Sequence, residues 1–372
     1  MKVFLEARRR KIYDRMAQDG VALVMFEDTE GRRDPAVRWL TGHPADALLF
    51  LSADGRCMLV PWDANMAAFY AEADAVIPYG EIELQPTAAL RAAAAFFKIP
   101  PGSRIEISPV TAYPTFLKYI EEFSEYDLLC RPDSIHDTAG EIRQIKDEEE
   151  IRIYREAAEI TNKIIDLLEE NVRSAQIRTE TDAALFIEAE GRRCGCEGTG
   201  FETLAAGPGR SFGIHAFPSY TGAGFAVKGL SILDFGLKYE GYSTDVTMTF
   251  ACDLSKAQEK QLVLVEKAYK LALSLAGEGV STWDIALAVE AHFNKSGRVM
   301  PHGLGHGIGL EVHEKPLLRT RKENARQLKA GMIFTIEPGL YDPVIGGCRL
   351  ENDVLITTEG VEVLTRSRVV RL

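Results

Sequence analysis

Ser231-Ile-Leu-Asp-Phe-Gly-Leu-Lys-Tyr-Glu-Gly-Tyr-Ser-Thr-Asp-Val-Thr-Met-Thr-Phe250 reads as a strand, a short turn around Tyr239 to Gly241, and a second strand. With the loop at Tyr239-Glu240, Asp234 stands directly across from Asp245. Side chains so opposed lie roughly 4.5–5.5 Å apart at Cβ. Two carboxylates at that distance repel each other unless a cation sits between them. Taken alone, the segment also fits a surface hairpin with solvated acids.

The neighbouring sequence supplies partners for that cation. Met300-Pro-His302-Gly-Leu-Gly-His306-Gly-Ile-Gly-Leu-Glu-Val-His313-Glu-Lys-Pro316 concentrates histidines in a run of alternating glycines. Glycines there let backbone approach a bound ion or ligand closely. Ile333-Phe-Thr-Ile-Glu337-Pro-Gly339 places an acid at the end of an apolar strand. In Cys348-Arg349-Leu350-Glu351-Asn352-Asp353, the residues Arg349, Glu351 and Asp353 share one strand face. Buried acids in such strands are costly without a metal or a cation beside them. Asp234, Asp245, His306, Glu337 and Glu351 together offer four carboxylates and one imidazole. That set suits two divalent cations side by side, and a pair about 3.5–4 Å apart activates water for hydrolysis. Gly207-Pro-Gly-Arg-Ser-Phe-Gly-Ile-His215-Ala-Phe-Pro218 is a further glycine-rich segment. No lysine-serine follows it and no helix opens there, so His215 reads as substrate-facing and the segment is not a phosphate loop.

The second part of the chain repeats an organisation without repeating a sequence. Helices expected at about 147–172 and 179–194 precede strands at about 200–250. Helices at about 256–276 and 282–295 then precede strands from about 298 to 370, with Ser281 as a helix cap. Two helix-helix-strand-strand halves predict a pseudo-symmetric α+β domain with its site between them. The first part, residues 1–137, reads as a smaller α/β domain. It has a helix from about Phe4 to Gln18, a buried strand Val21–Phe26, strands Ala47–Leu51 and Cys57–Val60 split by a turn at Ser52–Arg56, a helix Ala88–Phe97 and a short strand Arg104–Ile107. The boundary is expected near Asp137, giving domains 1–137 and 138–372.

These residues resemble the pita-bread metallopeptidases: aminopeptidase P, prolidase and, more distantly, methionine aminopeptidase. The matching pieces are Asp234-x-Gly, the eleven-residue step to Asp245, Gly-His306-Gly-x-Gly with Val312-His313-Glu314-x-Pro316, Glu337-Pro-Gly, and Glu351 fourteen residues later. Trp39-Leu-Thr-Gly42 is similar to an element of the creatinase-like N-terminal domain of the proline-specific members, and Arg143-x-x-Lys146 to the start of their catalytic domain. The resemblance implies a metal-dependent Xaa-Pro peptidase hydrolysing the bond before proline with a metal-bridging hydroxide. It implies Asp234 on one metal, His306 on the other, Asp245 and Glu351 bridging, and Glu337 as ligand and proton shuttle. It implies His215 and His313 at the substrate carbonyl, with His302 and Arg349 on the substrate. Mn²⁺ is the expected metal, with Co²⁺ or Zn²⁺ as alternatives. The expected substrate is a small peptide with proline at the second position, and the expected assembly is a homodimer.

Two positions depart from the family pattern. Met248 stands where Asp-Ile-Thr-Arg-Thr has its arginine. Leu317 stands where prolidases often carry an arginine for the dipeptide's carboxylate. A pita-bread hydrolase or lyase acting on a small non-peptide metabolite is therefore the alternative. A catalytically dead binding module would be marked by lost ligands, and all five positions are filled.

Composition fits this picture. A chain of 372 residues, 46% hydrophobic and 26% charged, is ordinary for two globular domains. A net charge of −12 argues against a nucleic-acid partner. The six cysteines are scattered, without zinc-type pairing, and suit a reducing cytoplasm. The start MKVFLEARRRKIYDRM has no apolar core of a secretory signal, and no stretch is apolar enough to predict a membrane span.

Overall fold

The computed structural model describes residues 2–372, which divide into a unit ending at Arg143 and a unit Gln144–Leu372. The boundary expected near Asp137 falls inside the helix Ile135–Arg143. No described helix is long and apolar enough to cross a membrane.

The first unit is built on a six-stranded sheet. Its order is Ala75–Val76, Cys57–Pro61, Ala47–Ser52, Val21–Asp28, Arg104–Glu106, Asp127–Leu129. The three long central strands are antiparallel neighbours, Ala47–Ser52 and Cys57–Pro61 joined by a short turn and Val21–Asp28 and Ala47–Ser52 through the helix Pro35–Thr41, and the outer pairings are parallel. The turn expected at Ser52–Arg56 forms, with the Ser52 N–H on the Arg56 carbonyl and Gly55 at φ 88°. Leu23, Phe50 and Met58 pack from the sheet against Leu90, Ala93 and Tyr119. Trp39-Leu-Thr-Gly42 closes the helix Pro35–Thr41, and Gly42 supplies the left-handed cap at φ 78°.

The second unit follows the two-half plan. In the first half, the helices Glu148–Arg173 and Glu180–Arg193 each start at a capping box, on Asp147 with Glu150 and on Thr179 with Asp182. Their apolar faces, among them Ile164, Leu168 and Ile187, cover Leu233, Val246 and Phe250 of the sheet below. In the second half, the helices Lys256–Leu275 and Thr282–Asn294 cover Phe334, Ile336 and Val354. Ser281 occupies the cap position expected of it, but its hydroxyl makes no capping bond.

The halves are not closed on themselves. The last strand, Val369–Arg371, crosses back and pairs in parallel with Val246–Cys252 of the first half. The sheets meet at one seam, where Thr247 bridges Glu351 and the Thr249 hydroxyl donates to the Arg349 carbonyl at 2.7 Å. The candidate acids are gathered on that seam.

Candidate metal centre and substrate cavity

The hairpin closes on Glu240-Gly241, not on Tyr239-Glu240. Both loop residues hold positive φ, 46° and 87°, and Tyr239 pairs with Tyr242. This is a tight two-residue hairpin turn, whose twist matches that of the strands it joins. The register moves by two residues in consequence. Asp234 opposes Thr247, and Asp245 falls level with Gly236, between the Phe235–Val246 pair and the Leu237–Thr244 contact. The expected direct pairing of Asp234 with Asp245 is therefore corrected to a diagonal one on the same face. Diagonal neighbours stand roughly 7–8 Å apart, which leaves more room for ions than a direct pair. Gly236 makes the crossing possible, because a Cβ there would lie 1.9 Å from the Thr244 carbonyl oxygen.

His306 comes from the opposite half. Its strand, Gly305–Gly307, lies between Glu314–Leu318 and Ile333–Ile336. A Cβ on Gly305 would meet the Thr335 oxygen at 1.9 Å, and one on Gly307 the Lys315 oxygen at 2.1 Å. The glycines around His306 thus serve close backbone packing. With Nδ1 donating to the Gly307 carbonyl at 3.2 Å, Nε2 is left with its lone pair. It lies 3.5 Å from Glu337 Oε1 and 3.7 Å from Asp245 Oδ2. Glu337 follows the strand Ile333–Ile336 and is fixed by its N–H on the Leu304 carbonyl at 2.9 Å. Glu351 Oε2 accepts from the Thr247 hydroxyl at 2.6 Å.

The chemistry of this cluster fits a divalent cation. Asp245, His306 and Glu351 each offer a ligand atom, all within 4.8 Å of one another. Asp234 Oδ1 and Asp245 Oδ1 are buried without a hydrogen-bond partner, a costly state for carboxylate oxygens. Burial, and next the neighbouring Glu351, push the Asp245 and Glu337 carboxyls well above their usual range. Glu351 is pushed up to about 7, by burial and then by Asp234. His306 is pushed down to about 3, by burial and then by His313, so its imidazole is neutral. Crowded acids beside a neutral imidazole are electrostatically incomplete without positive charge.

Arg349 supplies part of that charge. It was expected on the substrate, but the structure gives its guanidinium protein partners. Nη2 donates to Asp234 Oδ2 at 2.5 Å, Nε to the Thr247 hydroxyl at 2.9 Å, and Nη1 to the Ile214 carbonyl and the Tyr341 hydroxyl. It orients Asp234. Tyr341 and Thr247 belong to the same network; Thr247 lies within the Asp245 motif, whereas no motif in the sequence announced Tyr341. Tyr341 in turn donates to His302 Nε2 at 3.0 Å, while His302 Nδ1 donates to the Gly303 carbonyl.

The cluster floors a cavity of about 480 Å³. His215, His302 and His313 line it, with Phe201, Ile214 and Val312 as apolar walls and Arg319 at its margin. The His313 ring stands 4.2 Å from that of His306. All the expected site residues thus come together on one cavity. The two departures from the family pattern do not line it. Met248 is buried under the first helix pair, and Leu317 pairs with His306 along its strand.

Comparison with known proteins agrees with this architecture. Residues 152–358 match the model of metallopeptidase family M24. The chain belongs to that family. It is 34% identical over 256 residues to an uncharacterized peptidase of Methanocaldococcus jannaschii, covering 68% of this chain and 70% of that one. It is 32% identical over 255 residues to a protein named Xaa-Pro dipeptidase from Pyrococcus horikoshii, covering 67% and 70%. Its fold is that of the X-Pro aminopeptidase structure from Thermotoga maritima, with TM-score 0.82, 24% identity, and coverage of 98% and 99%. The M24 protein is a peptidase, hence a hydrolase, with a pita-bread domain that follows a smaller α/β domain in the sequence. Its family implies divalent metal ions, and the seam between the half-sheets offers them a site.

Proposed function

We propose that the protein is a dinuclear metal-dependent Xaa-Pro peptidase acting on short peptides with proline at the second position. The observation that carries this reading is the convergence of Asp245, His306 and Glu351 within 4.8 Å on the floor of a histidine-lined cavity. The Xaa-Pro dipeptidase name of its Pyrococcus horikoshii relative supports the substrate class. Asp234 with Asp245, and His306 with Glu337, would hold the two cations, and Glu351 and Asp245 would reach both. Oxygen-rich donors with one imidazole suit Mn²⁺, with Co²⁺ or Zn²⁺ as alternatives. When bound, such ions lower the pKa of water and polarise a carbonyl.

The remaining work falls to the side chains. Glu337 takes a proton from the attacking water at a carboxylate oxygen and passes it to the leaving proline nitrogen. His215 and His313 donate to the scissile carbonyl oxygen as negative charge develops there, where preorganised donors help most. Tyr341 holds His302 against the same cavity. A homodimer in the cytoplasm belongs to this reading, and light scattering on the purified protein checks the assembly.

The test is product mass spectrometry on Mn²⁺-loaded protein given Ala-Pro and Ala-Pro-Ala, with a metal-stripped control. Metal-dependent release of alanine is expected. No cleavage of either peptide with two metals bound would overturn the peptide reading and favour a small non-peptide metabolite.

A further inference from the structure

Glu180 is a fully buried acid with no place among the candidate ligands. It is the first residue of the helix Glu180–Arg193, whose capping box Thr179 and Asp182 make without it. Its carboxylate turns instead to the two ends of the loop 207–224. Oε1 accepts from the Gly207 N–H at 2.8 Å. Oε2 accepts from the Thr221 N–H and from the Thr221 hydroxyl, both at 2.7 Å. Arg210 adds a further tie: its Nε lies 3.3 Å from Glu180 Oε1, and its Nη2 donates to the Pro218 carbonyl. Hydrogen bonds to a charged acceptor are roughly twice as strong as neutral ones. The ends of the loop cross here, since a Cβ on Gly207 would lie 2.2 Å from the Gly224 carbonyl oxygen. The Glu180 and Thr181 N–H groups hold the far end to the helix, on the Ala223 and Thr221 carbonyls. The Glu180 side chain carries the tie on to Gly207.

The middle of this loop is a wall of the active cavity, lined by Ile214, His215, Ala216 and Phe217. The other cavity histidines have fixed rings: His302 bonds to Tyr341 and Gly303, and His306 to Gly307. Among the described residues, the His215 ring has no hydrogen bond. Its place is therefore set by the backbone that carries it. That backbone is held on one side by Arg349 Nη1 on the Ile214 carbonyl and by the Gly347 N–H on the Ser211 hydroxyl. At its neck it is held by Glu180.

We propose that Glu180 is a positioning residue for the reaction: by closing the neck of the loop 207–224 it sets His215 against the scissile carbonyl. This rests on the peptidase reading above. A misplacement of about 1 Å in a reacting site costs on the order of a hundredfold in rate, so a carboxylate that never touches substrate governs turnover through the loop. Glu180→Gln keeps the shape and removes the charge. An amide offers one oxygen and one NH₂ group. It accepts at Gly207 or at Thr221 but not at both, and one end of the neck is released.

The test uses full-length, Mn²⁺-loaded wild type, Glu180→Gln, His215→Ala and the double variant, on whichever of Ala-Pro and Ala-Pro-Ala is cleaved. Glu180→Gln is expected to lower kcat by roughly ten- to hundredfold, less than removing such a donor outright, with KM changed far less. In the His215→Ala background the same substitution should cost less than about twofold, because residues that act through one another are not additive. A loss that multiplies in full there would overturn the role, since damage unrelated to His215 persists without it. Amide hydrogen exchange read by mass spectrometry needs no turnover. In Glu180→Gln the loop 207–224 should exchange faster while the helix Glu180–Arg193 keeps its protection, and unchanged exchange would overturn the anchor. Thr221→Val deletes one donor and leaves the carboxylate in place. It should show smaller changes of the same kind, and wild-type exchange in it overturns the anchor should Glu180→Gln not fold. Uncleaved peptides in wild type overturn the peptidase reading instead, while loop exchange still decides whether Glu180 closes the neck.

Discussion

Asp234 and Glu337 are both motif acids, yet their surroundings assign them different work. Asp234 gives one oxygen to Arg349 and keeps Oδ1 unpartnered. Its position depends on a cation already present in the protein. Glu337 has no such arginine, and lies against His306 and His302 at 3.5 and 3.7 Å. That leaves it as the acid proposed above for the proton shuttle. Glu337→Ala is accordingly expected to abolish turnover while the protein stays folded. Near-normal rates on any cleaved peptide would remove its shuttle role. Arg349→Met should instead act on the fold as well. It strips the partner from a buried carboxylate, a change that typically costs about 3–5 kcal/mol, and it releases Thr247 and Tyr341. Urea unfolding should show that loss, and kcat/KM should fall with it. An Arg349→Met protein of unaltered stability would mean that Asp234 is not held by the arginine. The candidate ligand residues were legible because each sits in a distinctive local sequence. Arg349's task was not, because it depends on contacts with Asp234 and Thr247, more than 100 positions away.

The hairpin around Glu240-Gly241 shows where sequence patterning stops. Alternating apolar residues located both strands, but register depends on which two residues turn the chain. Gly241 accepts positive φ without cost, and Glu240 adopts it as well, at 46°. A loop placed one position earlier carries every pairing two residues off. Gly236 is the element's second constraint. Gly236→Ala would drive a methyl group into the Thr244 carbonyl, 1.9 Å from it, and backbone cannot yield as a side chain can. Circular dichroism melting should show a strongly destabilised or misfolded variant. A native-like melting temperature would mean that the strands can separate there at little cost. A similar dependence ties Lys146 to the site. Lys146, buried ahead of the helix Glu148–Arg173, pairs with Glu314 at 3.2 Å, next to His313. Lys146→Met should remove one cation from that carboxylate, destabilise the protein by up to about 3–5 kcal/mol, and lower kcat/KM by loosening His313. Adding Glu314→Met should return part of the stability without returning the activity. Recovery of both would show that the pair does not position the histidine loop.

At the scale of the molecule, the two-half plan was visible in the order of helices and strands, and Ser281 marked the start of the helix Thr282–Asn294. The crossing of Val369–Arg371 into the first half's sheet was not visible, since a short apolar strand carries no record of its partner. That crossing and the Thr247–Glu351 bridge fasten the halves together along the seam where the acids meet. The seam therefore holds a conflict, in which hydrogen bonds and apolar packing draw the halves together while buried carboxylates repel. Divalent cations relieve the repulsion, and anything that binds only the folded state stabilises it by mass action, by about 4 kcal/mol at a thousandfold excess over Kd. For a unit of this size that corresponds to roughly 8–16 °C in melting temperature. The unit ending at Arg143 has its own sheet and core and contributes none of the candidate ligands. Calorimetry of the chelator-treated protein, repeated after adding Mn²⁺, should then resolve two transitions, of which only the one from Gln144–Leu372 climbs with metal. A metal-independent thermogram would show that the acids on the seam do not share a cation.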